Sequence, residues 1–252
     1  MQEQTLPPSS VEKRNFFSRL GGVYLSPGET FRGVGQSPGV LWPILASVIF
    51  GLLVGFYVSR ALDIQSLVVN QLQTLVDQGR MTKEQMQQSL PLAGVVAKVQ
   101  VYVSPVSSIL VSLVIAAVFK LITTLVGAEN RFSAVFSVTL YAMLAVSIIQ
   151  TVLFALVLHF KGPGEVTASN INSLVVSNLG AVLSAVSGDS LPKFVLRLAG
   201  WVDIFAAWRI ALLSIGYAAV SRKLKVSKAV AWLTGAYALI ALVGSLFSSL
   251  TS

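Results

Sequence analysis

The sequence predicts an all-α integral membrane protein: a five-helix transmembrane bundle with an interfacial N-terminal helical segment and a helical hairpin inserted between spans 1 and 2. Three observations carry that expectation. Hydrophobic residues make up 54% of the 252-residue chain and charged residues 11%, with a mean hydropathy of +0.77, which leaves too little polar surface for a water-soluble domain. Five stretches reach the roughly 20 apolar residues that a spanning helix needs. The basic residues fall between these stretches in a pattern that assigns loops to sides of the bilayer.

The N-terminal stretch 1–15 is polar and rich in Pro and Ser, as expected of a disordered cytoplasmic tail. No apolar signal-peptide core follows Lys13 and Arg14, so the first span is expected to direct insertion. Residues 16–250 then form the membrane domain. In NFFSRLGGVYLSPGETFRGVGQSPGVLWP, apolar residues alternate irregularly with Arg19 and Arg32. Ser26-Pro27-Gly28-Glu29 has the layout of a helix start, with Ser as N-cap, Pro at the first helical position and Glu three residues after the cap. Two short helices in the cytoplasmic interface are expected here, either as a collar under the bundle or as a partner-binding surface.

The predicted spans are 40–58, 101–126, 132–158, 198–220 and 229–250. Gly51 and Gly55 form a GxxxG in the first, which favours close helix approach within the chain or between protomers. The insert 60–98 places apolar residues at helical spacing over 61–78, with Gly79 as a stop. Thr82-Lys83-Glu84-Gln85 then reads as a capping box that opens a second short helix ending before Pro91.

The stretch 166–188 has no charge but carries Asn170, Asn172 and Asn178. Charge parity decides how to read it. Arg222, Lys223, Lys225 and Lys228 crowd into the short loop 221–228 without an acid, which the positive-inside rule assigns to the cytoplasm. With five spans this loop, the basic N-terminal segment and the loop holding Arg131 share one side; a sixth span would separate them. The stretch 166–188 is therefore read as a re-entrant or interfacial segment buried against protein. The N-terminus is then cytoplasmic and the C-terminus outside.

Little reaction chemistry is written in the chain. It has no cysteine, which excludes disulfides and thiolate sites, and a single histidine, His159, so no His pair can share a metal. No spacing holds two carboxylates together as an acid/base pair, and no phosphate-binding loop follows a strand. No cofactor is expected. The net charge of +8 suits anionic lipid at the cytoplasmic face better than nucleic acid, because the cations lie between apolar runs rather than in one patch with aromatics.

Asp203 and Arg209 are the charges inside the predicted span 198–220, and charges at bilayer depth are costly enough to be candidates for function. Six residues separate them, about 9 Å along a helix, so they are no i,i+4 pair. Asp203 is placed to cap the helix start. For Arg209, Gln150, Asn172 and Asn178 are the available partners.

At this point the residues suggest a family. LSPGETFRGVGQSP before an apolar span, and WVDIFAAWRIALLSIGYA before a short basic loop and a last span, resemble the Yip1-domain membrane proteins, particularly bacterial members. Asp203, Phe205, Trp208 and Gly216 match the most specific part of the pattern; Pro27, Glu29 and Phe31 belong to the second part. The resemblance implies a cytosolic N-terminus and five spans, and its eukaryotic members act in vesicle trafficking by binding Rab GTPases and shaping membranes. A bacterial relative has no Rab cycle to serve, so the resemblance carries architecture more than activity.

The expected function is a non-enzymatic module for protein interaction or membrane organisation in a bacterial inner membrane. Arg222, Lys223, Lys225, Lys228, Pro27, Glu29 and Phe31 would form its cytoplasmic surface, toward an unidentified membrane or cytoplasmic protein or a second copy of the chain. The competing expectation is a small permease that uses Asp203 and Arg209 within the membrane.

Overall fold

The structure is a computed structural model and describes residues 15–250 except 126, 162–165, 167–174, 176 and 188–189. All its regular elements among the described residues are α-helices: α1 (Phe16–Leu25), α2 (Pro27–Gln36), α3 (Leu41–Ala61), α4 (Ile64–Asp77), α5 (Lys83–Leu125), α6 (Phe132–Lys161), α7 (Leu179–Ser187), α8 (Lys193–Gly200), α9 (Ile204–Val220) and α10 (Val226–Leu250).

Local chemistry sets many of the ends. The Asn15 side chain accepts from the Ser18 N–H at 2.8 Å and caps α1. Ser26 ends α1 and precedes Pro27, the first residue of α2, but its hydroxyl makes no capping bond. The expected start is therefore present while the expected Ser cap is not. Asp63 caps α4 through the amides of Gln65 and Ser66 at 3.0 and 3.2 Å. It also accepts the Ser66 hydroxyl at 2.6 Å, and this bond, foremost, holds the carboxyl below the usual carboxylate range. Gly79, at φ 69°, closes the helix, with the Arg80 N–H on the Leu75 carbonyl at 2.9 Å. Thr82 and Gln85 cap each other reciprocally at 2.8 and 3.2 Å.

The helix opened by that box does not stop before Pro91. It continues through Pro91 and Pro105 for 43 residues, about 64 Å, or twice the hydrocarbon thickness. The insert and the second span are thus one rod, whose first part packs on α4 and whose second part packs on α3 and α6. A proline deletes one i→i−4 bond; here the surrounding turns are long and apolar enough to carry the helix past it. Pro105 fits because Gly51 offers no side chain: a Cβ at Gly51 would overlap the Pro105 ring, and one at Gly55 would stand 3.1 Å from the Val101 carbonyl. The GxxxG is used within the chain.

Four helices are long and apolar enough to cross a membrane: Leu41–Ala61, Lys83–Leu125, Phe132–Phe160 and Val226–Ser248. The predicted span 198–220 is broken. Helix α8 ends at Gly200, Asp203 is an extended N-cap, and α9 has 17 residues, about 25 Å, at the lower limit for a crossing. Of the stretch 166–188, the described helix is α7, whose nine residues are too short to cross on their own. It packs on α8 so closely that a Cβ at Gly180 would stand 2.6 Å from the Gly200 nitrogen.

Helix α6 is the centre of the core: Val135, Val138, Ala142, Ala145 and Val146 are all fully buried. Helices α1 and α2 do not lie loosely at the surface. Val23, Phe31 and Val34 are fully buried in the same core cluster, and α2 is wedged against α9 and α6.

Candidate functional site

The break before α9 is built from two short extended pieces. The Leu179 N–H donates to the Val202 carbonyl at 2.8 Å and the Ile204 N–H to the Ser177 carbonyl at 3.0 Å, which pairs Asn178 with Asp203 in an antiparallel bridge. Two helices start from this bridge, each with its own acceptor. Asn178 takes the Ala181 N–H at 2.8 Å. Asp203 takes the amides of Phe205 and Ala206 at 2.7 and 3.0 Å, together with the Ser177 hydroxyl. A carboxylate there also faces the positive end of the helix dipole.

Arg209 lies two turns on and does not reach Asp203 as a salt bridge. Its Nη2 donates to Gln150 Oε1 at 2.8 Å, which ties α9 to α6. Of the partners suggested by the sequence, Gln150 is the one used among the described residues; Asn172 lies outside them. On the other side of the break, the Tyr237 hydroxyl donates to the Trp201 carbonyl at 2.8 Å and anchors α10.

The two sequence motifs meet each other. A Cβ at Gly28 would stand 3.8 Å from Ile215 Cγ2, and one at Gly216 would overlap Val138 Cγ1 and stand 3.0 Å from the Phe31 ring. Trp208 is tilted against Tyr24 with ring centroids 6.1 Å apart, and the Tyr24 hydroxyl donates to the Ala145 carbonyl at 2.7 Å. Phe205 is buried. Thus Phe205, Trp208, Gly216 and Phe31 form the joint between α9, α6 and the α1–α2 pair. Phe31 is fully buried, which removes it from the surface set in which the sequence placed it: a ring that fills the gap over Gly216 cannot also present itself to a partner. Pro27 is half-buried and Glu29 is exposed.

The basic residues form a second feature at the end of the bundle where α9 finishes. Arg222, Lys223, Lys225 and Lys228 are exposed, whereas Leu224 between them is buried. Lys223 turns the chain at φ 63°. The turn is held by the loop 127–131. The Arg222 N–H donates to the Glu129 carbonyl at 2.9 Å, and Asn130 Nδ2 donates to both Thr123 Oγ1 and Ser221 Oγ at 2.9 Å. Lys120 Nζ donates to the Asn130 carbonyl at 2.9 Å. The Arg222–Glu129 ion pair, at 3.5 Å and largely exposed, adds little by itself. Gly35 at the end of α2 brings Val220 to 3.2 Å of where its Cβ would be. Arg131 and Arg222 line a recess of about 370 Å³ with Gly35, Asn130 and Val220. The loops that charge parity assigned to one side therefore do lie together, with α2 beside them.

Asn130 and Tyr217 escaped the sequence reading. Tyr217 is fully buried, is stacked on Phe119 at 3.8 Å and shares a 2.7 Å hydrogen bond with Thr139. Its signal was available, since it continues the Phe205, Leu212, Leu213 and Gly216 face at helical spacing. Asn130 sits in a short loop between two charged residues and carries no comparable periodic signal. Among the described residues, no cluster of three or more His, Asp or Glu stands ready for a metal.

The profile of the Yip1 domain matches residues 21–248. Neither the curated proteins nor the solved structures give a match.

Proposed function

The chain belongs to the Yip1-domain family, and from that premise we propose that it is a non-enzymatic multi-pass membrane protein acting as a protein-interaction or membrane-organising module. The observation that carries this reading is the basic turn. Four cations stand exposed on a segment whose backbone is fastened to the 127–131 loop and whose flank is packed on α2. A turn held so rigidly displays charge without the ordering cost of a free loop, and a concentrated positive field steers acidic protein surfaces or anionic lipid toward it. The positive-inside rule supports a cytoplasmic setting for this face in a bacterial inner membrane, with five crossings of which α9 is the shortest.

The permease reading has no comparable support. Asp203 is engaged with two amides and a hydroxyl, and Arg209 with Gln150.

The experiment is purification from native membranes in mild detergent, followed by mass spectrometry of bound proteins and lipids. It compares the natural chain with a variant carrying Arg222→Glu, Lys223→Glu, Lys225→Glu and Lys228→Glu. Since all four side chains are exposed, the variant is expected to fold. A stoichiometric companion lost from the variant while thermal stability is unchanged would support the reading. The same companions retained by both chains would sink it.

A further inference from the structure

Between α1, the 37–40 linker and the first half of α3 lies a groove of about 760 Å³. Leu45, Ile49, Phe50 and Leu53 line it along α3, together with Phe16 and Trp42. Leu45, Ile49 and Leu53 are 41%, 59% and 63% exposed, so the groove is open along its length to the surroundings of a helix long and apolar enough to span.

One end of the groove has a different character. Arg19 projects into it from α1, and its Nη1 donates to the Ser37 carbonyl at 2.9 Å. That acceptor is neutral, so the guanidinium charge is not compensated there, and an arginine fork has four further N–H donors. The phenol of the buried Tyr141 stands beside Arg19, and Asn15 and Ser37 complete the polar end. Helix α3 starts from Val40 without a side-chain cap, which adds the positive end of its dipole. Trp42 is 64% exposed, where an amphipathic ring marks headgroup depth.

We propose that this groove is a binding site for one anionic phospholipid, with its phosphate on Arg19 and one acyl chain along Leu45, Ile49 and Leu53. The openness of the groove selects this occupant. An extended peptide laid there would leave backbone N–H and C=O groups facing hydrocarbon without partners, whereas an acyl chain has none to satisfy. The charge of Arg19 selects an anionic headgroup over a zwitterionic one. The inference stands apart from the interaction reading above, because none of its residues belongs to the basic turn.

The test is native mass spectrometry of the full chain in micelles, titrated with phosphatidylglycerol or phosphatidylcholine of identical acyl chains. The natural chain binds its first phosphatidylglycerol more tightly than its first phosphatidylcholine. One arginine near a headgroup contributes a factor of about five, so Arg19→Gln lowers the first phosphatidylglycerol affinity by about that factor and leaves phosphatidylcholine unchanged. Arg19→Lys retains most of the preference. Arg32→Gln, which removes an exposed cation of α2 outside the groove, changes nothing. Ile49→Trp fills the apolar channel and removes the first bound lipid of either class. The proposal is overturned if the preference survives Arg19→Gln, if Arg32→Gln erases it equally, or if Ile49→Trp leaves the first lipid in place. Should Arg19→Gln fail to fold, Ile49→Trp, at an exposed position, decides alone.

Discussion

Gly216→Ala adds a single methyl group where α9 meets α6 and α2. That methyl would overlap Val138 Cγ1 and stand 3.0 and 3.2 Å from two carbons of the Phe31 ring. Carbon atoms pack best at about 3.5–4.0 Å, so the ring must retreat by roughly 0.5 Å or more. It has no free space to enter, since Phe31 and Val138 are both fully buried, and a helical valine is nearly fixed in one rotamer. Overpacking of this kind costs about 1–3 kcal/mol, and an overlap combined with a ring contact puts it near the upper end. The helix preference of alanine over glycine returns about 1 kcal/mol. The net expectation is a loss of about 2 kcal/mol, read as a shift in the unfolding midpoint in mixed detergent micelles. Val138→Ala removes the overlapping methyl, so the double variant should lose less stability than the sum of the two single losses, by about 1 kcal/mol or more. A Gly216→Ala chain as stable as the natural one, together with an additive cycle, would refute the joint described above.

Three further outcomes follow from the same contacts. Asp203→Ala is expected to cost about 1 kcal/mol as the loss of an N-cap, whereas Asp203→Asn, which keeps an accepting oxygen, costs only a fraction of that; thermal unfolding of the two variants separates the cap from the charge. A double-mutant cycle on Arg209→Gln and Gln150→Ala should give a coupling of about 0.6–2 kcal/mol, as for other hydrogen bonds between membrane helices. The carboxyl of Asp63 is held below the usual carboxylate pKa range in the fold, first by the Ser66 hydroxyl, so its contribution to α4 is present above that range and fades as pH falls through and below it. Hydrogen exchange at Gln65 and Ser66 should therefore accelerate, relative to its intrinsic rate, in acid, and Asp63→Asn should remove that dependence.

The sequence made the local chemistry legible wherever a side chain acts on its own neighbours. The Thr82–Gln85 box, the Gly79 stop and the Asp203 cap are read from spacing alone, and the arginine partner was among three candidates. Longer apolar runs were less decisive. Pro91 looked like an end because propensity argues against a proline in a helix, yet the apolar run behind it kept the helix going to Leu125. The span 198–220 looks continuous in the sequence because hydropathy does not register the extended conformation that Asp203 takes in order to cap a helix. The burial of Phe31 was hidden for another reason. A short helix with mixed polarity reads as interfacial, and only the gap over Gly216, a feature of a distant helix, shows where its ring goes.

The claim on which the membrane topology turns is that α9, with 17 residues, crosses the bilayer. The chain has no cysteine, so single cysteines at Gln36, Gln73 and Ser227, all exposed, can be labelled with an impermeant maleimide in intact cells and in inverted vesicles. Five crossings predict that Gln36→Cys and Ser227→Cys label from one side and Gln73→Cys from the other. Ser227→Cys labelling together with Gln73→Cys would mean that α9 does not cross, and would contradict the placement of the basic turn beside α2 on a single face of the membrane.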